Sequence, residues 1–115
     1  MVDEVTFEGH DVVIADALTL LRALPIEPGR VRSRRLFKAP DVTVLGVAID
    51  VGAVMREHVA AVPILIHVID GRIALELRGK RIDLPAGAMI HVDGRVRHSV
   101  EGLEPSRFLL MPLGT

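Results

Sequence analysis

Cysteine, tryptophan and tyrosine are all absent from the 115 residues, and phenylalanine occurs only three times. The lack of cysteine excludes disulfides, thiolate metal sites and cysteine nucleophiles together, and the compartment expected from it is the reducing cytoplasm. So few aromatic rings leave almost no stacking platform for bases or sugars, so the core must be aliphatic. No apolar run approaches the roughly 18 residues of a membrane span. The opening stretch, MVDEVTFEGHDVV, is acidic where a secretory signal would be positive. The chain is therefore expected to be soluble and unexported, with no membrane partner. Fourteen Lys and Arg against fifteen Asp and Glu leave a formal charge of -1, which supplies no field to recruit nucleic acid. No phosphate-cradling glycine loop is present, and Ser33 and Ser99 lack a nucleophile context.

What remains is an aliphatic chain, 50% hydrophobic, of the length of one domain. Asp16 to Leu24 carries apolar residues at helical spacing, with an Asp at the capping position and Pro25 just beyond, which predicts one short helix. The expected organisation is an N-terminal segment over 1–29 containing that helix and a barrel over 30–115. Beyond Gly29 the chain breaks into runs of strand length: Val42 to Ile49, Ala53 to His58, Ile64 to Ile69, Arg72 to Leu77, Ala88 to Val92, Val96 to Val100 and Phe108 to Leu110. Turn chemistry separates them at Asp50-Val51-Gly52, Asp70-Gly71, Gly79-Lys80, Pro85-Ala86-Gly87 and Asp93-Gly94. Asp70-Gly71 is the strongest of these signals and predicts a type I′ turn. The basic run from Arg30 to Lys38 reads as a solvated or interface strand. Many short strands with close turns predict an all-β sandwich or barrel.

From Gly52 onward the order of glycines and histidines resembles the cupin family. Gly52 and His58 fit the opening of its first motif and Gly71 its close; Gly87 and His98 fit the second, with the hairpin Arg72 to Leu84 between them. The resemblance covers residues 42 to 112 and implies a double-stranded β-helix, or jelly-roll barrel, preceded by the short helix. It is nearest to small single-domain cupins of unassigned activity. Four positions depart from the family pattern. Ala60 stands in place of the second histidine, Ile64 of the glutamate, Asp93 of the proline and Arg95 of a second-motif glycine.

The resemblance implies His58 and His98 as surviving ligands, facing each other across the barrel and able to hold a divalent transition metal (Zn, Fe, Ni, Cu or Mn) weakly or not at all. Two imidazoles are too few for a usual catalytic site, which takes three protein ligands and a water. His67 and His91 are the nearby candidates for a third ligand. Alternation sets Ile64, Ile66 and Val68 on the face of the family's glutamate and turns His67 away, unless a bulge after Pro63 reverses the parity. For His91 the intervening Asp93-Gly94 prevents parity being carried to His98. Alternation also puts Arg56 and Val54 on the face of His58. Arg56 would then oppose a cation and favour a carboxylate or phosphate ligand, unless its head reaches water along the barrel wall.

Three functions are compatible with these residues. One is a binding module for a metal ion or small polar ligand inside the barrel. The others are a metal-dependent oxygenase, isomerase or decarboxylase, and a protein whose task is association through its sheet edges. A mean hydropathy of +0.40 exceeds what so small a barrel easily hides, and a homodimer is expected.

Overall fold

The structure, a computed structural model, describes residues 5–6 and 12–114. Two short strands, β1 (Val5–Thr6) and β2 (Val12–Val13), pair antiparallel ahead of helix α1 (Ala17–Ala23). Asp16 caps α1 as expected: the Thr19 backbone N–H donates to its Oδ1 at 2.8 Å, and that bond holds the Asp16 carboxyl below its ordinary pKa.

Nine strands follow: β3 (Val31–Ala39), β4 (Val42–Ile49), β5 (Val54–Val59), β6 (Ile64–Asp70), β7 (Arg72–Leu77), β8 (Lys80–Pro85), β9 (Met89–Val92), β10 (Arg97–Gly102) and β11 (Ser106–Pro112). They form an antiparallel five-stranded sheet ordered β3-β4-β11-β6-β9 and a four-stranded sheet ordered β5-β10-β7-β8. The chain crosses between the sheets at most of its turns, staying within one sheet only at β3–β4 and β7–β8. The result is the expected all-β jelly roll.

The core lies between the two sheets because alternate side chains of each strand point inward. Ile64, Ile66 and Val68 of β6 and Phe108 of β11 meet Ile73 and Leu75 of β7, all buried. On the outer face of the five-stranded sheet, Ala23 and Leu24 of the helical segment pack on Leu36 and Ala48. Arg107 fastens that segment: its Nε donates to the Leu24 carbonyl at 2.7 Å while its Nη1 reaches Asp70 Oδ2 at 2.8 Å. The basic run is an edge strand, β3, whose exposed arginines discourage pairing with another chain.

One turn differs from the sequence expectation. Asp70-Gly71 does not close a hairpin; β6 pairs with β9 and β11, whereas β7 pairs with β8 and β10. Of that pair only Gly71 has a positive φ, +78°, so the step is a corner between sheets. The turn with both central residues at positive φ is Arg78-Gly79, at 52° and 75°, joining β7 to β8.

Candidate ligand site at the barrel mouth

His98 is the principal feature of the site. It lies at the start of β10 with only 2% of its surface exposed. Its Nδ1 lies 3.0 Å from the Val96 carbonyl oxygen. A carbonyl only accepts, so in the neutral imidazole Nδ1 carries the proton and Nε2 is the acceptor. This is the arrangement in which a backbone carbonyl orients a histidine toward a metal or a hydrogen-bond donor.

The register sets His58 of β5 directly opposite His98, with Leu77 of β7 opposite on the other side. The two histidine positions are therefore neighbours on adjacent strands, not partners across the barrel. The strand order β5-β10-β7-β8 is the reason, since it makes the first motif's strand and the second motif's strand a hydrogen-bonded pair. Directly opposite residues in such a pair have Cα atoms about 4.5–5.5 Å apart.

Alternation along β5 does not run as the sequence suggested. The register shifts between His98 and Val100, so that Arg56 and Glu57 stand against the single residue Ser99. This is a bulge, which changes the face of everything beyond it. Before the bulge Met55 packs on the core and Val54, 51% exposed, points outward; Arg56, the first residue of the bulge, is exposed as well. Arg56 thus belongs to the exposed face of its strand.

His67 and His91 are not brought to His98. His67 sits between Ile66 and Val68, both fully buried, with no bulge after Pro63, so it lies on the outer face of the five-stranded sheet. His91 precedes buried Val92 and is exposed on that same outer face, where its Nδ1 is 3.9 Å from Asp93 Oδ1. His67 pairs in register with Met89, and His91 with Leu65.

The donor set does not fit a complete cupin metal centre. Ile64, at the family's glutamate position, is 2% exposed within the core, and Ala60 packs against the same cluster. Among the described residues no three His, Cys, Asp or Glu side chains converge. Among the described side chains no carboxylate stands beside His98 to offset the charge of a divalent ion.

Three arginines around the mouth were not singled out together from the sequence. Arg78, Arg95 and Arg97 line one groove of about 520 Å³, along with Leu77 and Val96. The signal for Arg95 was present: it stands where the motif has glycine, and its φ is 64°, a conformation glycine adopts without strain.

A barrel of two antiparallel sheets with a motif histidine at its mouth defines a jelly-roll protein of the cupin class. The cupin domain profile matches residues 47–112, more than half of the chain, and the chain belongs to that family. Among solved structures, a conserved protein of unknown function from Streptococcus pyogenes is 19% identical, with a TM-score of 0.78 over 88% of this chain and 89% of that one. KdgF from Halomonas sp. is 26% identical, with a TM-score of 0.63 over 78% and 86%. An RmlC-like cupin from Shewanella frigidimarina is 18% identical, with a TM-score of 0.68 over 73% and 76%. No curated protein matches the chain.

Proposed function

We propose that this cupin is a binding module whose barrel mouth takes a small polar ligand against His98 and His58, with a divalent metal held weakly or not at all. One observation carries the reading. His98 is a buried imidazole oriented through Nδ1 by the Val96 carbonyl, yet the position that should supply a carboxylate beside it is the core residue Ile64. An imidazole whose Nδ1 proton is taken by the Val96 carbonyl suits a ligand that brings its own hydrogen-bond donor, such as a hydroxyl, better than it suits a cation without a carboxylate beside it. Elemental analysis after dialysis against a mild chelator should find metal well below one equivalent. One retained equivalent that His58→Ala and His98→Ala each abolish would overturn the reading in favour of a metal-dependent enzyme.

The chain is further proposed to act in the cytoplasm, as its lack of cysteine suggests, and as a homodimer. Large apolar side chains on the outer surfaces support the dimer, among them Met89 on the edge strand β9, 59% exposed, and Val54 and Val59 on the edge strand β5. Light scattering at micromolar concentration should give twice the 12.5 kDa chain mass, and a monomer mass would reject it. No helix among the described residues is long and apolar enough to cross a membrane.

A further inference from the structure

The groove beside His98 has an unusual lining. Among the described residues only Arg78 and Arg95 are non-glycine residues at positive φ, and both line it. Side chains other than glycine, asparagine and aspartate seldom hold that conformation, and strained positions cluster where a side chain has a task. Arg78 is fixed by a 3.0 Å ion pair to Asp93, which ties the β7–β8 turn to the β9–β10 loop. Glu76, the one acidic residue of the lining, faces Arg81 in register, and Arg81 also bonds Glu101 at 2.9 Å. Arg95 is exposed, and among the described residues no carboxylate pairs with it. Arg95 thus brings a positive charge to the groove that no carboxylate among the described residues pairs with, on a chain whose net charge is -1.

The groove adjoins the strand ends that carry His98. Arg97 precedes His98 in the chain, Leu77 is the register partner of His98, and Val96 both lines the groove and holds the imidazole through its carbonyl. We propose that this groove binds the carboxylate or phosphate group of a small anionic ligand, with the Arg95 guanidinium as its main contact. This rests on the reading of the mouth as a ligand site and names the chemical class of its ligand. A guanidinium presents a planar fork of donors that matches either oxyanion. Leu77 and Val96 offer apolar wall for the rest of a small molecule.

The test is a titration of ¹⁵N-labelled protein with inorganic phosphate and, separately, with succinate, each against sodium chloride at equal ionic strength. Resonances of Arg78, Arg95, Arg97 and the His98 ring are followed. Saturable shifts at Arg95 and Arg97 with at least one of the anions are expected, and the one that binds more tightly identifies the oxyanion. Arg95→Gly removes the charge while suiting the backbone, so it should fold and weaken binding at least fivefold. Absence of saturable shifts beyond the chloride control would overturn the proposal, as would a folded Arg95→Gly protein that binds like the wild type. If Arg95→Gly leaves binding unchanged and His98→Ala abolishes it, the anion is held at the imidazole; the groove is then rejected while the mouth remains the ligand site.

Discussion

Gly71→Ala should lower the melting temperature by more than ten degrees. Gly71 turns the chain from one sheet into the other at φ +78°, where an alanine costs about 1–2 kcal/mol. An added Cβ would also lie 2.7 Å from Ser106 Cα and closer still to the Pro105 carbonyl oxygen, neither of which can swing aside as a side chain would. Ser106 is fully buried, its Oγ accepting the Arg72 N–H at 2.7 Å and lying 2.7 Å from the Glu104 carbonyl. Displacing it would leave a buried N–H without a partner, a loss of about 1–3 kcal/mol. Together these approach about 3 kcal/mol, and a domain of this size loses roughly 4 °C per kcal/mol. Differential scanning calorimetry reads the shift directly; a melting temperature within about 3 °C of wild type would show that the corner relaxes, contrary to this account.

Phe108→Ala is expected to be at least as damaging, for a different reason. Among the described residues Phe108 is the largest fully buried side chain, placed on β11 between Val47 of β4 and Val68 of β6. Removing its ring leaves a cavity that close-packed neighbours fill only in part, at a cost of about 3–5 kcal/mol. That is a large share of the 5–15 kcal/mol typical of a whole domain. Phe108→Leu retains most of the volume and should cost about 1–1.5 kcal/mol. Urea unfolding of the two variants should therefore separate them clearly. Equal midpoints would mean that the site collapses around alanine and that the ring is not what the two sheets close upon.

The parts of the fold that depend on neighbours in the chain were legible before any coordinates. Val42–Ile49 and Arg72–Leu77 are strands with the ends their β-branched runs and flanking turns suggested, and Asp16 caps a helix that stops before Pro25. The paired dipeptides of β1 and β2 were not, because two residues carry no readable periodicity. At Asp70-Gly71 the need for a positive-φ glycine was real, and only its use was misread: a turn signal does not say whether the next strand returns to the same sheet. The alternation argument worked for β6, where it turned His67 outward, and failed for β5, where the bulge at Arg56 and Glu57 interrupts it.

The candidate site divides in the same way. His98 was recognisable from its spacing to Gly87, the loss of a carboxylate was visible as Ile64, and the family resemblance brought His58 to His98, but that they stand on adjacent paired strands instead of across the barrel was not legible. Nor could the convergence of Arg78, from one turn, with Arg95 and Arg97, from another loop, be read from a chain in which no charged cluster joins them. By itself the sequence determined what is short-range: backbone conformation at its glycines, the helix cap, strand-forming runs and the family to which they belong. Tertiary structure alone decided which strands lie side by side, and with them the adjacent-strand placement of the two histidines and the arginine groove. Local preferences involve a few bonds of the same segment, whereas strand pairing is settled by burying both sheets' apolar faces at once.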